Sequence, residues 1–111
     1  MNRFSKELIT PHYDKWDVVK EKIEKLYSLD AKEAIKLMEI AIRDYEELLE
    51  YGGSEINNRT GKMEALLLPL NGKERFQFVK DRIASHYAYI QLDALYTETK
   101  KKAARLFVMK K

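Results

Sequence analysis

Few side chains in this chain stand at spacings that chemistry requires. Thr60-Gly61-Lys62 has the closing residues of a phosphate loop, in which glycines let backbone N–H groups surround a phosphate and lysine neutralises it. The earlier glycine of such a loop would fall at Ile56 and its hydroxyl residue at Met63, which argues against nucleotide binding by this stretch. His12 and His86 are the only histidines, and neither belongs to a Glu-x-x-His or His-x-x-x-His spacing that would aim two ligands at one metal. No metal and no cofactor are expected. His86, between Ser85 and Tyr87, reads as a packing or hydrogen-bonding residue at a bend. Glu46, Glu47 and Glu50 form a charged cluster, but acid–base catalysis needs carboxylates in a pocket that separates their pKa values, and nothing marks one. The absence of cysteine removes thiol nucleophiles, disulfides and Cys-type zinc sites together. No catalytic residue is expected, and the chain reads as non-enzymatic.

Two groups of residues remain as binding candidates. Tyr89 and Tyr96, with Glu46, Glu47 and Glu50, are candidates for a protein interface, since exposed tyrosine is a frequent anchor there. Tyr87 and Tyr89 cannot face the same way on a helix, and Tyr89 is expected on the exposed side. Lys62, Arg75, Lys80, Arg82, Lys100, Lys101, Lys102 and Arg105 are candidates for nucleic-acid contact. Cations at a helix end also complement the helix dipole, and no aromatic residue is interleaved between Lys100 and Arg105 to stack on bases. Charge is divided unevenly. Residues 1–51 hold 9 Lys and Arg against 12 Asp and Glu, whereas residues 52–111 hold 12 against 6. Such a split either guides an acidic partner or reflects helices whose opposite charges meet across a bundle.

The elements that must position these residues are helical. Length fits one domain, and 45% apolar with 35% charged residues suits ordered amphipathic helices rather than disorder. Thr10-Pro11 predicts a helix start, because proline loses nothing at the first helical position, with residues 1–9 as an arm or extra turn. Trp16, Val19, Ile23 and Leu26 then line one face to about Tyr27. Asp30-Ala31-Lys32-Glu33 and Asn71-Gly72-Lys73-Glu74 both read as capping boxes, and Leu29 is placed to staple onto Ala34. The second helix runs to about Tyr51, where Gly52-Gly53 stops it. Residues 52–63 read as a loop within a 52–68 connector. Beyond Asn71 a short helix, a break near Ala84-Ser85-His86 and a fourth helix toward Val108 are expected, with one bent helix as the alternative. The architecture predicted is all-α, a small antiparallel bundle of about four main helices. Charge interrupts the N-terminus, and Ala65-Leu66-Leu67-Leu68-Pro69-Leu70 is far too short to span a bilayer, so no membrane association and a cytoplasmic location are expected.

Leu68-Pro69-Leu70-Asn71-Gly72-Lys73-Glu74-Arg75-Phe76, followed by His86-Tyr87-Ala88-Tyr89-Ile90-Gln91-Leu92 and the basic end, resembles the C-terminal domain of the YpoC-like proteins of Gram-positive bacteria. Pro69, Asn71, Glu74, Arg75, Ile90, Gln91 and Leu92 match the family pattern as they stand. The order His86-Tyr87 is reversed from it, and Tyr89 replaces Phe. The likeness covers the second half of the chain, and the family has no assigned activity. Its genes tend to lie beside those of a replication-initiation protein and a base-excision-repair endonuclease, which implies a DNA-associated role. Two functions are therefore expected: first a protein-binding adaptor, and as the alternative a DNA-associated accessory protein using the basic half. A homodimer is a further expectation.

Overall fold

The computed structural model describes residues 6–109. Four helices and one short hairpin follow in the order α1 (Lys6–Leu29), α2 (Ala31–Tyr51), β1 (Ser54–Ile56), β2 (Met63–Ala65), α3 (Gly72–Asp81) and α4 (His86–Met109). His12 faces Glu47 and Lys15 faces Asp44, so α1 and α2 run antiparallel. Trp16 stacks on Tyr96 and Tyr27 meets His86 edge-on, so α4 also runs antiparallel to α1. The four-helix expectation holds, with a two-stranded sheet added.

α1 begins a turn and a half earlier than Thr10-Pro11 predicts, and Pro11 lies inside it. Proline forfeits one helical bond there. The extra turn buries Ile9 and continues the apolar stripe of Tyr13, Trp16 and Ile23 into the core, which offsets that loss. Residues 1–5 of the expected arm lie outside the described residues. At the next junction Asp30 caps α2 as expected, its carboxylate accepting from the Glu33 N–H at 3.2 Å. Leu29 is exposed rather than stapled onto Ala34.

Asn71 departs from its expected capping role. Its φ of 55° is left-handed, and its side chain makes no cap bond. The cause is a tight turn in which the Gly72 N–H donates to the Pro69 carbonyl at 2.8 Å. Gly72 is buried so closely that a Cβ would fall 2.6 Å from the Leu68 side chain, leaving Asn71 to take the left-handed step, which asparagine tolerates.

The expected loop at 52–63 is in part a hairpin. Ser54, Glu55 and Ile56 pair with Ala65, Glu64 and Met63. Asn57 organises its turn: Oδ1 accepts from the Arg59 N–H at 2.8 Å, Nδ2 donates to Glu64 at 3.0 Å, and Gly61 takes a φ of 71°. Leu67, wholly buried, anchors the chain after the hairpin against Gly52.

α3 and α4 are separate helices. Ser85 Oγ accepts from the Tyr87 N–H at 3.1 Å, as a cap should. One apolar cluster joins α1, α2, α3 and α4 through residues such as Ile23, Met38, Val79 and Leu92. Trp16 Nε1 donates to Asp93 at 2.8 Å, Tyr96 donates to the Ala41 carbonyl at 2.9 Å, and Tyr45 shares a 2.7 Å bond with Thr99. Each aromatic ring is thereby buried with its polar atom satisfied, which fixes how α4 sits on α1 and α2.

Candidate functional site

Behind the hairpin lies a groove of about 630 Å³. Three segments wall it: the hairpin turn with Asn57, Arg59 and Glu64, the stretch from Leu68 to Glu74, and the outer end of α4 with Glu98, Lys101, Lys102 and Arg105. Asn57 and Glu64 share one side of the ribbon, because alternation sends the exposed pair Ile56 and Met63 to the other.

Two struts hold these walls apart at fixed spacing. Arg75 is the main one: its guanidinium reaches both carboxylate oxygens of Glu98 at 2.8 and 2.6 Å, Gln91 at 2.8 Å and the Leu70 carbonyl at 3.1 Å. This bidentate bond holds the Glu98 carboxyl below the usual carboxylate range and pushes Arg75 up. Lys102 is the second strut, donating to the Leu68 carbonyl at 3.0 Å.

Five cations therefore line the groove, Arg59, Lys73, Lys101, Lys102 and Arg105, against the carboxylates Glu64, Glu74 and Glu98. Glu98 is already matched by Arg75. The first turn of α3 opens into the same space, and its backbone N–H groups add positive potential.

The other candidates separate. Lys62 sits in the hairpin turn outside the groove lining, and Arg82 is exposed at the end of α3. Lys80 lies over the Phe76 ring and pairs with Glu46 at 3.0 Å, so a nucleic-acid candidate and a protein-interface candidate neutralise each other across the bundle. Lys100 turns toward α1, 5.9 Å above the Tyr13 ring. Glu47 lies 3.5 Å from His12, while Glu50 is exposed.

The expected exposure of Tyr89 is corrected. Tyr89 is 7% exposed and stacks on His86, Tyr96 is buried, and Tyr87 is the solvent-facing residue at 70%. Tyr89 continues the Leu92, Tyr96 and Ala103 stripe that faces the core, whereas Tyr87 falls on the opposite side. Burial and the carboxylates of Glu24, Asp93 and Glu21 push the Tyr89 hydroxyl up to about 12.

Sequence reading missed Arg59 and Lys73. Nothing in the sequence states that a turn residue at 59 and the first turn of α3 meet the last turns of α4. His12 is buried, its Nδ1 without a partner, and desolvation lowers its pKa despite Glu47. Among the described residues no cluster of three metal-ligating side chains occurs, and no helix is long and apolar enough to cross a membrane.

A family model described as YpoC-like protein matches residues 6–111, extending into the first half of the chain, where the sequence likeness was poor. No curated protein and no solved structure matches the chain.

Proposed function

The chain belongs to the YpoC-like family, and we propose that it is a non-enzymatic accessory protein that holds the phosphate backbone of nucleic acid in the groove between the hairpin, α3 and α4. The observation that carries this reading is the convergence of Arg59, Lys73 and Arg105, from three separate segments, with Lys101 and Lys102 on one recess. Like charges gathered around a recess repel one another, and a polyanion entering it relieves that repulsion while releasing its own counterions. No aromatic side chain lines the groove, so the contact is to phosphate and tolerates any base sequence. A cytoplasmic location goes with this proposal. The adaptor reading has less support, since Tyr89 and Tyr96 are buried and Glu46 and Glu47 face Lys80 and His12.

Fluorescence anisotropy of a labelled oligonucleotide across a salt series tests the reading. Replacing Arg59, Lys73 and Arg105 together by Ala is expected to reduce the slope of log affinity against log salt by roughly 2 to 3, at about 0.7–0.9 per cation. Lys100→Ala, on the α1 side, is expected to leave the slope unchanged. Equal slopes for the triple variant and the unaltered protein would overturn the proposal.

A further inference from the structure

α4 carries a second apolar pattern that its core packing does not use. Tyr87, Ile90, Ala94, Thr97, Lys101, Ala104 and Val108 follow one another at alternating steps of three and four. That is the seam spacing of a coiled coil, sustained for three heptads on the side away from Leu92, Leu95 and Ala103. Tyr87, Ile90 and Val108 are 70%, 49% and 71% exposed, so these large side chains face water along a line of roughly 32 Å at 1.5 Å per residue. A helix that needed only its core face would carry polar residues there.

We propose that this face is the seam of a two-fold homodimer, in which α4 of one molecule lies antiparallel against α4 of a second copy. The direction follows from size and charge. Centred on Thr97, antiparallel pairing sets Tyr87 beside Val108, Ile90 upon Ala104, and Lys101 opposite Ala94 with Asp93 alongside. The Ile90 and Ala104 layers and the Lys101 and Ala94 layers then join a large side chain to a small one, the Thr97 pair lies between them, and Tyr87 covers Val108 at each end. A parallel pair would stack Lys101 on Lys101 and Ala on Ala, giving one repulsive and two hollow layers. Charge beside the seam agrees: Asp93, partly exposed, stands toward the start of α4 and Lys101 toward its end. Reversal of one helix places Asp93 of each copy beside Lys101 of the other.

Sedimentation equilibrium without nucleic acid, from low to high protein concentration, tests this. The mass is expected to rise from the 13.1 kDa of one chain toward twice that value. Ile90→Asp is expected to weaken association at least tenfold, whereas Lys101→Leu, which removes the one charged seam position, tightens it about tenfold. Direction is read by mixing Ala94→Cys and Lys101→Cys chains, which have no native cysteine, and oxidising them. Antiparallel packing gives the mixed disulfide, and parallel packing gives each variant joined to itself. A mass that stays at 13.1 kDa at every concentration overturns the proposal, as does association that Ile90→Asp leaves intact. A face that binds another protein but leaves the chain monomeric also overturns it. The Arg59, Lys73 and Arg105 variant is expected to keep the dimer, so loss of nucleic-acid binding and loss of the seam are read separately.

Discussion

Replacing Arg75 by Met keeps the aliphatic stem and removes the guanidinium that ties the start of α3 to α4. Four hydrogen bonds go with it: two to Glu98, one to Gln91 and one to the Leu70 carbonyl. The ion pair is not dry, its side chains being 22% and 43% exposed, so screening cuts the fork to about 1 kcal/mol rather than the 3–5 of a buried pair. The two neutral acceptors add about 0.5–1 kcal/mol each. The expected loss is about 2–3 kcal/mol, or roughly 8–20 °C in Tm for a chain of this size. Urea unfolding followed by circular dichroism measures it, with a lower midpoint and an unchanged slope. In a double-mutant cycle with Glu98→Gln the coupling should be about 1 kcal/mol. Acid titration adds a sign. The folded-state pKa of Glu98 is lowered, so its contribution is full above the unfolded carboxylate value and is lost as pH falls through the folded one. Arg75→Met should flatten that part of the stability curve. A loss below about 0.5 kcal/mol, or a strictly additive double variant, would refute Arg75 as a strut.

Two further outcomes follow from the core. Tyr45→Phe is expected to cost about 1 kcal/mol by removing the 2.7 Å bond to Thr99, while adding Thr99→Val should cost little more, because no hydroxyl is then left without its partner; chemical unfolding of both variants checks this. His12 is held below its ordinary 6.5 by burial, so the unfolded chain binds a proton that the folded one does not. Stability should therefore decline as pH drops from 6.5 toward the folded value, and His12→Phe should remove that decline in denaturation curves taken at pH 7 and pH 5.

What the sequence made legible were features decided within one or two helical turns. The cap at Asp30, the end at Gly52-Gly53 and the break at Ser85 each depend on neighbours in the chain. Features decided by contacts across the fold were not legible. Pro11 looks like a helix start until Ile9 is known to be buried. Asn71 looks like a cap until Gly72 is seen pressed against Leu68. Three-residue strands are too short to show alternation, so the hairpin has no signature apart from the Asn57 to Gly61 turn chemistry. In α4 buried and exposed apolar residues interleave along the sequence on opposite faces, and reading them as one stripe hid which of Tyr87 and Tyr89 faced inward. The groove was half legible: the basic run was visible, but its partners Arg59 and Lys73 become neighbours only through the Arg75 and Lys102 struts.

The hairpin turn is closed by its own bonds, Asn57 holding both the Arg59 amide and Glu64, while the ribbon's root is fixed separately by Leu67 against Gly52. Root and tip are thus mechanically independent. Residues spliced in between Asn58 and Gly61 would give up the turn's bonds to Asn57 and lengthen the loop at an entropic cost of about 0.6 kcal/mol per doubling, without reaching the helices. One wall of the groove is then an adjustable gauge, and the length of recess it covers can change while the bundle beneath stays the same.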